Sequence, residues 1–140
     1  MFKKITLVIL LILDCTNPAI SQERNHSNQV RERFLLAQKL MGRGNYVQAI
    51  ADFKEIIQDT PDFGKAYEWL VMASAYGQQL GQARQYFVSM TKQDSLNPYA
   101  YFGIGRVNQE KGNAQQALLS YKKAIELGCS YAGLYLNTTR

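Results

Sequence analysis

Residues 99–127, with the sequence YAYFGIGRVNQEKGNAQQALLSYKKAIEL, predict two short helices folded against each other. The turn between them is expected at residues 110–113, where Gly112 gives the backbone freedom to reverse. Small and aromatic side chains of the second helix recur at steps of three or four, which place them on one helical face. These side chains are Ala114, Ala117, Tyr121 and Ala124.

The same pattern recurs twice upstream, each time at a spacing of 34 residues and without an insertion. The columns that agree in all three copies are Ala49, Ala83 and Ala117; Phe53, Phe87 and Tyr121; Leu36, Leu70 and Ile104; and Ile56, Met90 and Ala124. Internal periodicity of this length indicates stacked helical hairpins. We therefore expect an all-α solenoid of three helix–turn–helix hairpins at about 30–63, 64–97 and 98–131, followed by a short helical stub.

Proline separates the hairpins. Thr60 is expected to cap the first helix of the second hairpin, with Pro61 at its first position, and Asn97 and Pro98 repeat this arrangement before the third hairpin. The middle copy has Gln78 where the other two copies have the turn glycines Gly44 and Gly112.

This pattern resembles the tetratricopeptide repeat family, whose unit is a 34-residue helix–turn–helix. The resemblance covers about residues 30–131. The positions that carry it are Ala37, Gly44, Tyr46, Ala49, Phe53 and Ile56 in the first copy; Val71, Gly77, Leu80, Ala83, Phe87 and Met90 in the second; and Gly105, Gly112, Ala114, Ala117, Tyr121 and Ala124 in the third.

The resemblance implies a concave groove lined by the first helix of each hairpin, which binds another protein or an extended peptide. The groove residues it implies are Phe34, Gln38, Met41, Lys65, Glu68, Met72, Tyr76, Tyr99, Phe102, Arg106 and Gln109. For each aromatic residue in this set, packing in the core is an equally open interpretation. The basic and amide residues with which some relatives grip a terminal carboxylate are not matched here, so such a clamp is not expected.

The residue inventory argues against catalysis, metal binding and a cofactor. His26 is the single histidine, and only one cysteine, Cys129, follows the first 21 residues, so neither a nucleophile–histidine pair nor a zinc site can be assembled. We expect Cys129 to be a buried apolar residue. The net charge of +5 is spread along the chain, which does not predict a nucleic-acid interface.

Residues 1–21 are typical of an export signal. Lys3 and Lys4 precede an apolar run, and the small residues Ala19 and Ser21 predict cleavage between Ser21 and Gln22. A periplasmic or secreted protein with no stable membrane span after cleavage is expected, followed by a flexible polar leader over 22–29. Two alternatives remain open, which are a retained anchor and lipidation at Cys15.

Two other functions remain open. Residues 130–136 are expected to form a stub that partly covers the end of the stack, so the chain could self-assemble, for instance as a homodimer, through Leu118, Ile125, Leu134 and Leu136. It could also be an envelope- or glycan-binding accessory protein in which Tyr99, Tyr101 and Phe102 stack on sugars.

Overall fold

The computed structural model describes residues 18–139, and within that range every regular element is helical. Six α-helices are followed by a 3₁₀ segment. Their bounds are α1 Pro18–Gly42, α2 Tyr46–Asp59, α3 Gly64–Tyr76, α4 Leu80–Gln93, α5 Pro98–Glu110, α6 Ala114–Glu126, and the 3₁₀ segment Ser130–Thr139. The predicted all-α architecture of three hairpins and a helical stub is confirmed. No helix in the described range combines the length and apolar character needed to cross a membrane.

The chain divides into two compact units, Met1–Arg33 and Phe34–Arg140. Of the first unit, the structure describes residues 18–33, which form the beginning of α1. The expected flexible leader at 22–29 is therefore helical instead, because this stretch contains neither proline nor glycine and is rich in helix-compatible Gln, Glu and Arg. Most of the predicted export signal, including Cys15, lies outside the described residues.

The aligned columns of the repeat form the core of the second unit. Ala49, Ala83 and Ala117 have at most 2% of their surface exposed. The aromatic column Phe53, Phe87 and Tyr121 is fully buried. Within each of the second and third hairpins the helices pack directly against each other, and α3 also packs beside α5. The first helices of the second and third hairpins are therefore neighbours.

Glycines in α5 allow the aromatic column to approach the helix backbone. A Cβ atom added at Gly105 would lie 2.5 Å from the ring of Tyr121, and one added at Gly103 would lie 2.7 Å from the ring of Phe87. Real Cβ atoms are not found so close to other atoms, so a larger residue at either position requires the ring to move. These two contacts fix how α4 and α6 sit on α5.

The hairpin turns follow the sequence prediction at two positions. Gly44 and Gly112 both have φ of +76°, the left-handed region that glycine tolerates best. Gln78 adopts the same region with φ of +57°, although it carries a side chain. The middle turn is thus strained where the repeat lacks its glycine.

Only one of the two proline pairs acts as predicted. The side chain of Asn97 accepts hydrogen bonds from the amides of Tyr99 and Ala100 at 3.0 and 3.2 Å, with Pro98 at the start of α5. The prediction for Thr60 is wrong, because residues 60–63 form a turn and α3 begins only at Gly64. Thr60 ends α2 instead, where its amide donates to the carbonyl of Ile56 at 2.8 Å.

Candidate binding groove

The predicted groove residues fall into three classes of exposure. Lys65 and Tyr76 are exposed. Five are half-buried, namely Gln38, Glu68, Met72, Tyr99 and Gln109. Four are buried, namely Phe34, Met41, Phe102 and Arg106. The first helices thus present a surface of mixed polar and aromatic groups. Fewer residues are accessible on it than the sequence prediction gave, because four of the predicted groove residues are buried.

Phe34 belongs to the core. Its ring contacts those of Phe53, Phe63 and Trp69, with centroids between 5.2 and 5.9 Å apart. Edge-to-face and tilted pairs at such distances are the preferred packing of aromatic rings. For Phe34 the core interpretation therefore applies, and its side chain is not available to a partner.

Phe102 and Arg106 are buried for a different reason, because the 3₁₀ segment lies over them. Gly128, with φ of +102°, ends the turn after α6 and redirects the chain towards the first helices. The ring of Tyr131 then packs edge-on against Phe102 with centroids 5.2 Å apart, and the ring of Tyr135 packs against the same side chain at 5.3 Å.

The side chain of Tyr131 packs against two first helices, α3 and α5. Gly64 at the start of α3 lies under the ring, so close that a Cβ there would come within 2.8 Å of it. The hydroxyl of Tyr131 donates a 2.7 Å hydrogen bond to Oε2 of Glu68, one turn further along α3. Phe102 on α5 closes the other side. A hydrogen bond to a charged acceptor in such a partly buried site is stronger than one between neutral groups.

Tyr135 packs on the cation of Arg106. The guanidinium carbon lies 4.9 Å from the centroid of the tyrosine ring, within the range of a cation–π contact. Arg106 is held in place from its own helix, because Nη1 donates to Gln109 at 2.7 Å and Nη2 pairs with Glu110 at 3.1 Å. The side-chain oxygen of Gln109 also accepts a hydrogen bond from the hydroxyl of Tyr121. This bond connects Arg106 and its contact with Tyr135 to the core.

Both tyrosines of the segment remain protonated donors at neutral pH. Burial, reinforced by the hydrogen bond to the Glu68 carboxylate, raises the pKa of Tyr131 far above its usual value. Burial and the same carboxylate raise the pKa of Tyr135 to about 12, against the opposing effect of Arg106. Ionisation of either hydroxyl beside Glu68 would place two like charges together.

Cys129, the residue immediately before the 3₁₀ segment, is fully buried, as the sequence predicted. It is a free thiol in the described part of the chain. Burial raises its pKa, and the backbone of Ala132 and Tyr131 acts in the opposite direction. The thiol is therefore shielded from solvent as long as the 3₁₀ segment stays in place.

The residues of the alternative functions are placed as follows. Phe102 cannot stack on a sugar while the segment covers it, whereas Tyr99 and Tyr101 are half-buried. Leu118 and Ile125 are also half-buried, and the side chains of Leu134 and Leu136 lie outside what the structure describes. Between residues 18 and 139, no group of three or more His, Cys, Asp or Glu side chains could hold a metal ion.

Tyr131, Tyr135 and Gly64 are site residues that the sequence prediction missed. The signal for the two tyrosines was their position at and beyond the end of the last repeat, spaced by four residues in a short stretch that also contains Leu134 and Leu136. Gly64 carried no comparable signal, because a glycine at the start of a helix is not unusual.

Comparison with known proteins identifies the fold. No protein-family model and no curated protein match the chain. The tetratricopeptide (TPR) domain of Sgt2 from Aspergillus fumigatus is similar, with a TM-score of 0.52 and 19% identity over 79% of this chain and 76% of that one. The TPR domain of P58(IPK) has a TM-score of 0.47 and 13% identity, over 92% of this chain and 38% of that one. A double mutant, MamA RS-1 ArsTM, has a TM-score of 0.47 and 14% identity, over 96% and 82%.

The chain therefore has the fold of a tetratricopeptide-repeat solenoid. The 34-residue register, the buried alanine and aromatic columns and the similarity to the Sgt2 domain all agree on this point.

Proposed function

We propose that this chain is a scaffold that binds another protein, or an extended peptide, on the surface formed by the first helices α3 and α5 with residues 34–42 of α1. The observation that carries the proposal is that α3 and α5 together already hold an aromatic segment through Glu68, Phe102 and Arg106. Aromatic and arginine side chains contribute most of the energy in protein interfaces.

Site-specific photo-crosslinking tests which surface binds the partner. A photoreactive phenylalanine analogue is placed in the full chain at Lys65 or Tyr76, both exposed on α3. Matched positions on second helices are Val47 and Leu119, which are 68% and 61% exposed. We expect a discrete crosslinked product from the α3 positions alone. Crosslinks confined to Val47 and Leu119 would contradict the proposal.

We also propose that the scaffold acts after export, in the periplasm or outside the cell. The support is the order of a basic start, an apolar run and small residues within positions 1–21. Mass spectrometry of the exported protein should find Gln22 at the amino terminus. A mature species that starts at a lipid-modified Cys15 would replace this proposal with membrane anchorage.

A further inference from the structure

We propose that Gly64, Glu68, Phe102 and Arg106 form a recognition site for a tyrosine followed four residues later by a second aromatic residue in a partner segment, and that Ser130–Thr139 occupies this site in cis. The site is named the tyrosine site below. The inference rests on the proposed function and specifies the chemistry of the partner.

The site has a separate contact for each part of the first tyrosine. Gly64 leaves room for the face of the ring, and Phe102 packs against it edge-on. Oε2 of Glu68 accepts a hydrogen bond from the hydroxyl, with the two oxygen atoms 2.7 Å apart. Phenylalanine would fill the same space but leave the half-buried carboxylate without this donor, so the site distinguishes tyrosine from phenylalanine.

The ring of the second aromatic residue is recognised through charge. Arg106 lies 4.9 Å from the centre of the Tyr135 ring and is fixed by Gln109 and Glu110. The rings of Tyr131 and Tyr135 also contact each other, with centroids 6.1 Å apart. An arginine that is already oriented loses little freedom when an aromatic ring binds it, which favours an aromatic ring at this position.

Occupation in cis makes the segment a competitor of the partner. A tethered segment has an effective concentration in the millimolar range, so a free segment of equal affinity is largely excluded. A partner binds only if its contacts outweigh this tether or if the segment is released. Removal of the two tyrosines of the segment should therefore open the site without altering the residues that form it.

The test uses a fluorescent synthetic peptide with the sequence of Ser130–Thr139, SYAGLYLNTT, and measures its binding to the full chain by anisotropy. We expect the Tyr131→Ala/Tyr135→Ala chain to bind the peptide at least tenfold more tightly than the parent chain does. Glu68→Ala in that background should weaken binding about tenfold, since a charge-assisted hydrogen bond is lost. Glu126→Ala, at an exposed carboxylate on α6, should have no effect.

The peptide itself provides the second arm of the test. A peptide with phenylalanine in place of the first tyrosine should bind several-fold more weakly, and one with alanine at both tyrosines should not bind. No binding to the opened chain at 1 mM peptide, a concentration of the order of the tether, would overturn the proposal. Equal binding to the parent and opened chains, or no effect of Glu68→Ala, would also overturn it.

Tyr131→Phe keeps the experiment decisive if the double variant fails to fold. This substitution retains the ring that covers Phe102 and removes only the hydroxyl donor. It should bind the peptide more tightly than the parent, and unchanged binding would contradict the tyrosine site. The two proposals fail separately, because crosslinks on second helices alone would overturn the groove as the partner surface, whereas absent peptide binding with intact groove crosslinks would overturn only the tyrosine site.

Discussion

The hydroxyl of Tyr131 donates a 2.7 Å hydrogen bond to the carboxylate of Glu68, which lies 63 positions earlier in the chain. This bond connects the segment after the last hairpin to the first helix of the middle hairpin. It shows that the segment does more than cover the end of the stack, since it contacts both α5 and α3 on the surface that we propose as the partner-binding groove.

Substitution of Gly105 tests the close approach of α5 and α6. Gly105→Ala should destabilise the fold by about 1–3 kcal/mol, because the new Cβ would meet the ring of Tyr121 at 2.5 Å. Gly81→Ala is the control, since Gly81 is also helical and an added Cβ would meet no atom within 4 Å beyond its own stretch of helix backbone. It should be neutral or stabilise by up to about 1 kcal/mol. Equal urea midpoints for the two variants would contradict this packing.

The two kinds of asparagine at helix starts should behave differently. Asn97→Ala should lower the free energy of unfolding by about 1 kcal/mol, because the Asn97 side chain accepts hydrogen bonds from two backbone amides at the start of α5. Asn113 occupies the same position before α6 but makes no such bond, so Asn113→Ala should cost less. Thermal unfolding of both variants measures the difference, and a larger loss for Asn113→Ala would refute the assignment.

The strained turn predicts a stabilising substitution. Gln78→Gly should raise the free energy of unfolding by about 1 kcal/mol, because glycine adopts φ of +57° without the steric cost that a side chain incurs. Gln82→Gly, at an exposed position inside α4, is the control and should destabilise by a similar amount. Destabilisation by Gln78→Gly in chemical denaturation would show that the turn is not strained.

Stability should decline at alkaline pH. Burial raises the pKa of Tyr121 to about 12, and that of Tyr135 is also about 12, whereas unfolded tyrosines ionise near pH 10. Above pH 10 the unfolded chain therefore releases protons that the folded chain keeps, so the free energy of unfolding falls between pH 10 and 12. Tyr121→Phe should make this fall less steep than it is in the parent chain. Tyr76→Phe, at an exposed ring, is the control, and equal slopes for Tyr121→Phe and the parent would contradict the assignment.

Much of the fold could be predicted because the same 34-residue helical pattern occurs three times in the sequence. Alanine at 49, 83 and 117 and an aromatic residue at 53, 87 and 121 recur at fixed spacing, and both columns are buried. The periodicity was less reliable at the first hairpin, where Leu36 is 57% exposed although its counterpart Leu70 is fully buried. A column reports an equivalent place in the repeat, but within residues 18–139 no hairpin precedes the first one and covers that place.

The candidate site was harder to predict, because it depends on a segment that lies outside the repeat. Phe102 is in a first helix, as the resemblance implied, yet whether it is open or covered is decided by Tyr131 and Tyr135. Periodicity describes local elements and their neighbours, and it carries no information about where a short segment folds back. The contact with Glu68 was therefore not visible in the pattern.

Hydrogen exchange of the backbone amides in Ser130–Thr139 measures most directly whether Glu68 and the other first-helix residues hold this segment. The full chain is compared with Glu68→Ala and with the control Glu126→Ala. We expect exchange in the segment to become about tenfold faster in Glu68→Ala, since loss of the bond to Tyr131 favours local opening, and to stay unchanged in Glu126→Ala. Identical exchange in all three chains would contradict the account.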